Sequence, residues 1–232
     1  MRTAILLSGI PKLCNKSYDS IQAWFPGADI FIHVWDVDIK DVNEKTAYSY
    51  NTYKEVWKVS DVLAKFSPKK HCVENFAVKN NEWMVVKDQY EKDNILMSQH
   101  STSMLSMFYG LYEVSKLKQQ YEKENNFKYD MVVRMRFDSD VSTWENQHEG
   151  VKNTLHIPEG RDYAKDGIND QFCFGDSDIM NMTCDCYPNL DDIVQSTKLY
   201  NPEFCFAEHL RRCKILPDKV ERIKIDVNIN NV

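Results

Sequence analysis

Tyr129-Asp130-Met131-Val132-Val133-Arg134-Met135-Arg136-Phe137, succeeded at once by Asp138-Ser139-Asp140, is the stretch on which the reading of the fold turns. Its long apolar run fits one buried strand of a central sheet. Two carboxylates then stand one residue apart where the strand should leave the sheet. Hard oxygen donors in such a place suit a divalent cation that also holds a diphosphate. Alternate residues of a strand share a face, so Arg134, Arg136, Asp138 and Asp140 lie on one side for as long as the chain stays extended. Four charges on one face of a central strand are costly to bury unless they pair with one another or bind a ligand. An internal Arg–Asp ladder and a metal-and-phosphate cradle both meet that requirement.

Outward from this strand the chain alternates. Thr3 to Ser8 reads as a first strand, closed by Gly9 and Pro11. Ser17 to Phe25 carries Ile21, Trp24 and Phe25 at helical spacing and is broken by Pro26-Gly27. Ala28 to Trp35 is a second strong strand. Strand, helix and strand with short links predict a βαβ unit in a mostly parallel sheet. Residues 37–70 are polar and poorly periodic, with a short helix expected around Ser60 to Phe66. Val73 to Val78 reads as a strand, and residues 79–97 show no firm pattern.

Ser98 to about Glu124 is the longest helical stretch, with Met104, Met107, Phe108, Leu111 and Val114 on one broad face and Asn125-Asn126 as a stop. Beyond the acidic pair, Leu155 to Ile157 and Gln171 to Phe174 read as short strands. Asp176 or Ser177 caps a helix through Met180. Pro202 to Cys213 reads as a helix with proline near its first turn, and Val220 to Ile229 as one half-exposed alternating strand. No repeat or low-complexity linker divides residues 1–232. The expectation is one α/β domain with a mostly parallel central sheet flanked by helices.

Bulk composition narrows the function classes. A net charge of -6 argues against a dedicated nucleic-acid binder. No run approaches the ~20 apolar residues of a membrane span, so no transmembrane segment is expected. Pro11 and Lys12 interrupt Ala4-Ile5-Leu6-Leu7 too soon for a secretory signal. The seven cysteines contain no C-x-x-C pair, and Cys184 and Cys186 are too close for a zinc knuckle. Reduced thiols and a cytoplasmic location are the simpler expectation.

D-x-D triplets occur three times, and context separates them. Asp176-Ser177-Asp178 comes after Gly175 and opens a helix, so capping explains it. Asp36-Val37-Asp38 comes after a strand and resembles the nucleophile motif of haloacid-dehalogenase phosphatases, but Lys40 stands where that motif wants Thr or Val. Asp138-Ser139-Asp140 ends the most apolar strand, with two arginines just upstream.

Four ordered blocks now carry a resemblance: Ile5-Leu6-Leu7-Ser8-Gly9, Phe31-Ile32-His33-Val34-Trp35-Asp36, Arg136-Phe137-Asp138-Ser139-Asp140, and Asn169-Asp170-Gln171-Phe172-Cys173-Phe174-Gly175. In this order they resemble the GT-A (Rossmann-like) fold of nucleotide-sugar-dependent glycosyltransferases, especially small enzymes of large DNA viruses and of bacterial surface-polysaccharide clusters. The likeness covers most of the chain apart from residues 40–95. It implies that Leu7, Ser8 and Gly9 hold the nucleotide. It implies that Asp140 binds Mn²⁺ or Mg²⁺, that Asp138 touches metal or ribose, and that Arg134 or Arg136 meets phosphate or braces the acidic pair. His209 is the candidate to complete the metal site.

Asp170 is the implied catalytic carboxylate on the acceptor side. Gln99, Ser101 and Ser103 are weaker candidates to touch donor hydroxyls. The implied activity is metal-dependent hexosyl or deoxyhexosyl transfer from a UDP-sugar to a glycan or glycoconjugate acceptor. Two alternatives stand beside it. One is a nucleotidyltransferase acting on sugar phosphates, although Ser8-Gly9-Ile10-Pro11 is poor in the glycine such a loop wants. The other is a non-catalytic nucleotide- or sugar-binding module with a structural acidic pair.

Overall fold

The computed structural model describes residues 1–37, 55–97, 102–144, 151–162 and 166–229. The chain runs β1 (Thr3–Gly9), α1 (Cys14–Trp24), β2 (Asp29–Asp36), α2 (Val59–Phe66), β3 (Lys70–Asn75), α3 (Phe76–Lys92), β4 (Leu96–Met97), α4 (Ser103–Asn125), β5 (Met131–Arg136) and β6 (Ser139–Trp144). It continues through β7 (Leu155–Pro158), β8 (Cys173–Gly175), α5 (Ser177–Cys184), a 3-10 turn (Tyr187–Asn189), α6 (Leu190–Thr197), β9 (Leu199–Tyr200), α7 (Pro202–Arg212), β10 (Val220–Ile223) and β11 (Ile225–Ile229).

Seven strands form the main sheet in the order β10-β7-β8-β5-β1-β2-β3. All neighbours are parallel except β8, which runs antiparallel to both β5 and β7. The sheet is covered on both faces, which is why β1, β2 and β5 read as nearly unbroken apolar runs. Ile5 and Leu7 of β1 join Ile32 and Val34 of β2 and Val133 and Met135 of β5 beneath α1 and α2. Ala4, Leu6, Phe31 and Val132 point the other way, onto α3 and α4. Each fully buried Leu or Ile of these strands contributes roughly 1.5–3 kcal/mol through removal from water.

β1, α1 and β2 form the expected parallel unit. The strand succession then reverses: β2 and β3 lie to one side of β1, and β5 to the other. In open α/β sheets, ligands bind outside the carboxyl ends of the strands at such a switch point. That edge is where Ser8-Gly9 and Arg136-Phe137-Asp138 emerge.

Buried polar bonds fix α4 against the start of β5. Lys118 Nζ donates to Glu122 at 3.0 Å, Ser177 at 2.6 Å and Asn181 at 2.6 Å. Glu122 in turn accepts from the Tyr129 backbone N–H at 2.8 Å. An unpaired ammonium at that depth would cost several kcal/mol, so the set acts as a unit.

Three segments depart from the sequence reading. Val73–Val78 is not one strand, because the Asn75 side chain accepts from Val78 N–H and starts α3. Residues 79–97 are mostly that helix. Val220–Ile229 divides at Lys224: β10 extends the main sheet beside β7, whereas β11 pairs antiparallel with β6 in a separate two-stranded sheet. The Asp176 side chain caps α5 through Ile179 N–H at 2.9 Å, which accounts for the third triplet. No helix of the described residues is long and apolar enough to cross a membrane.

Candidate functional site

The edge is built around the exit of β1. Gly9 has φ +122, a conformation that side chains rarely adopt, and a Cβ placed there would meet no atom of the described residues within 4 Å. Among those residues, the space beside the Gly9 backbone is open. The chain then turns through Leu13, at φ 53, and is held by Leu13 N–H to the Glu55 carbonyl at 3.1 Å and Trp57 N–H to the Pro11 carbonyl at 2.8 Å. Those bonds set the place of Lys12.

β5 ends at Arg136, and Phe137-Asp138 form a turn into β6. The Arg136 N–H donates to Ser139 Oγ at 3.1 Å and closes the turn. α1 anchors the first half of β6: Ser20 Oγ accepts from Val141 N–H at 2.9 Å, and Trp24 Nε1 donates to the Val141 carbonyl at 2.7 Å. The extended geometry that would align Arg134, Arg136, Asp138 and Asp140 thus stops two residues short of Asp138.

Asp138 is 1% exposed and engaged with two cations. Arg136 Nε and Nη2 donate to its two oxygens at 2.8 and 2.9 Å, and Lys12 Nζ stands 2.9 Å from Oδ2. Burial pushes its carboxyl up. The Arg136 charge and hydrogen bonds, then those of Lys12, outweigh burial and hold it at about 2. Three of the roughly four lone-pair positions of that carboxylate are taken. Asp138 is a brace between β5 and the β1 exit rather than an open cation ligand.

Asp140, at the start of β6 opposite Asn228, is half-buried. Its carboxylate makes no side-chain hydrogen bond or ion pair among the described residues. It is the member of the pair that fits Mg²⁺ or Mn²⁺. Such ions commonly take one or two protein carboxylates and complete their shell with water and substrate phosphates.

Because β8 runs backwards, the segment before it returns to the same edge. Asn169 orders that segment: its N–H donates to Asp162 at 2.8 Å, its side-chain amide to the Gly160 carbonyl at 3.2 Å, and its Oδ1 accepts from Gln171 N–H at 2.9 Å. Asp170 is 6% exposed. Burial raises its pKa, while the charges of Arg134 and Arg136 pull the other way. Arg134 is itself buried, and its Nη1 has no hydrogen-bond partner among the described residues. Glu203, on the first turn of α7, is raised by burial and by Asp170, and its carbonyl accepts from Ile168 N–H at 3.1 Å. A buried carboxylate with raised pKa near two guanidinium groups is a usable proton acceptor.

Not every sequence candidate belongs to this edge. Leu7 is fully buried in the core beneath α1, so only its backbone is available to a ligand. His209 is 1% exposed on α7. Its Nε2 lies 2.8 Å from the Met182 carbonyl, and burial lowers its pKa. Its ring braces α7 against α5, and no contact links it to the acidic turn among the described residues. Asp36 is exposed at the end of β2, Ser103 is exposed at the start of α4, and Asp38, Gln99 and Ser101 lie outside the described residues.

Sequence reasoning also passed over two features. Ser8 pairs in register with both Arg136 and His33, and His33 with Cys72, making one row across the sheet. A histidine inside the apolar run Ile30–Trp35 was the available signal, since a buried imidazole needs a polar partner. Separately, a cavity of about 670 Å³ lies between α3 and α6, lined by Trp83, Tyr90, Leu105 and Tyr187 among others. None of the candidate residues named from sequence lines it.

A family model described as a domain of unknown function, DUF7796, matches residues 19–222. No curated protein matches the chain.

Proposed function

Because the chain belongs to DUF7796, a family of unknown function, we infer its activity from the site: a single-domain, GT-A-like glycosyltransferase that moves a hexosyl or deoxyhexosyl group from a UDP-sugar to a glycan or glycoconjugate acceptor, with Mg²⁺ or Mn²⁺ as cofactor. The observation that carries this reading is the placing of Asp138 and Asp140 at the turn from β5 into β6. It leaves β5 at the carboxyl edge of the sheet, one strand from Ser8-Gly9, at the point where strand order reverses.

In this reading the backbone beside Gly9 and the Ser8 side chain receive the nucleoside. Lys12 and Arg136, positioned by Asp138, face the diphosphate with charge-assisted donors. Asp140 holds the cation, which when bound supplies charge neutralisation of the leaving diphosphate. Asp170 accepts the proton of the acceptor hydroxyl, and buried Arg134 stabilises it once ionised. Burial favours that role, because a carboxylate with raised pKa is a stronger base.

The test is release of free nucleotide from a panel of nucleotide sugars with Mg²⁺ or Mn²⁺. Turnover of one donor that is lost in Asp140→Ala, with the fold intact, supports the reading. Full turnover in that variant ends it.

A further inference from the structure

We propose a second metal site, independent of the transferase reading: His33, Cys72 and Glu74 form a three-ligand Zn²⁺ site at the β2–β3 edge of the sheet. Their ligand atoms lie within 4.8 Å of one another. His33 Nε2 stands 2.9 Å from Glu74 Oε2. Cys72 is the register partner of His33, and Glu74 lies two residues further along β3, so all three side chains share a face.

The donor set selects the ion. Imidazole, thiolate and carboxylate are together a zinc set, whereas Mg²⁺ and Mn²⁺ prefer oxygen throughout. Three protein ligands leave a fourth position for water, as in open zinc sites. β3 is the edge strand, and Cys72 and Glu74 are half-buried, so solvent reaches that position. His33 is fully buried and forms the floor.

The surroundings hold the ligands in place. Tyr109 donates its hydroxyl to Glu74 Oε1 at 3.0 Å, leaving Oε2 toward the ion. The His33 ring lies against Trp35 and Tyr109, with centroids 4.6 and 5.7 Å away. On α4, Gly110 admits the ring closely: a Cβ there would stand 3.1 Å from Nδ1. On binding, the Cys72 thiol loses its proton to solvent, and the ion takes the Nε2 lone pair of the tautomer that carries its proton on Nδ1, a buried atom with no hydrogen-bond partner among the described residues. His33 is the ligand nearest Ser8, one strand spacing of about 4.8 Å away, and Cys72 and Glu74 lie one strand further out.

The test uses the full chain, stripped with chelator and titrated with Co²⁺ as a spectroscopic probe. One equivalent per chain should bind with a thiolate-to-metal charge-transfer absorption, and Zn²⁺ should displace it. Cys72→Ser should remove that absorption and weaken Zn²⁺ binding at least tenfold. In the unmodified chain, Zn²⁺ should slow alkylation of Cys72, read by peptide mass, while leaving the half-buried Cys213 unchanged. No stoichiometric binding, a charge-transfer band that survives Cys72→Ser, or alkylation of Cys72 indifferent to Zn²⁺ each overturns the site.

Discussion

Replacing Asp138 with asparagine removes the charge that Lys12 and Arg136 share while keeping the shape of the side chain. The carboxyl falls from an ordinary 3.8 to about 2 in the folded chain. At about 1.4 kcal/mol per pH unit, that corresponds to roughly 2–3 kcal/mol of folding stability. A carboxyl whose folded pKa is depressed stabilises the fold fully above its unfolded value and loses that contribution as pH falls through the folded value. The window is therefore about pH 4 down to about pH 2. Lys12 and Arg136 are only partly exposed, at 15% and 32%, so solvent only partly replaces the lost partner. Urea unfolding of both proteins at a series of pH values isolates the effect, because every other carboxylate is common to the pair. Asp138→Asn should be less stable by about 2–3 kcal/mol at pH 7, and the gap should close towards pH 2. A gap that is absent at pH 7, or that does not change with pH, would refute the assignment of Asp138 as a charged brace.

The same geometry sets the outcome of four other substitutions. Asp140→Ala should change stability by no more than about 0.5 kcal/mol, because its carboxylate holds no side-chain partner among the described residues, yet abolish metal-dependent donor turnover; thermal melting and nucleotide release check the two halves. Asp170→Asn should cut the transfer rate on the order of 10²–10⁴-fold while leaving the fold intact. The Asp170 carboxyl is raised in the folded chain, so it disfavours folding progressively as pH rises above the unfolded value. Asp170→Asn should accordingly be the more stable protein at pH 7, with the advantage vanishing in acid. Gly175→Ala would place a Cβ 2.7 Å from the Thr154 carbonyl oxygen and should cost about 1–3 kcal/mol in denaturant unfolding. Lys118→Met should destabilise by about 3–5 kcal/mol, because Glu122 stays buried without its counter-charge.

How much of the fold the chain reveals locally depends on how evenly each element buries its side chains. β1, β2 and β5 are covered on both faces, so their apolar runs are unbroken and their place in a parallel sheet was legible. α3 was not. Phe76, Asn80, Trp83 and Tyr90 are buried, but Val78 and Val85 are exposed on the same helix, which blurs the helical period. Ile223 to Ile229 alternates straight through Lys224, so nothing local marks that residue as the point where the chain changes sheets. At the site, the position of Asp138 at a strand end was legible, but its orientation was not, because Phe137 already turns. Lys12 is remote from it in sequence and gives no local sign of the pairing. The same holds for His33 and Glu74, which only the register of β2 against β3 brings together.

The reversal of strand order also governs how the chain is made. β1 is an interior strand of the sheet, yet the strand that completes its second side is synthesised much later: the Arg2–Asp130 bond at this seam spans 128 residues. On the ribosome, β1 and β2 emerge with one long apolar border still bare. Pairing over such separations carries a large loop-closure cost and slows assembly. A nascent chain stalled before Met131 therefore presents an unprotected strand edge, and chaperone capture or clumping of such truncated products is the expected fate.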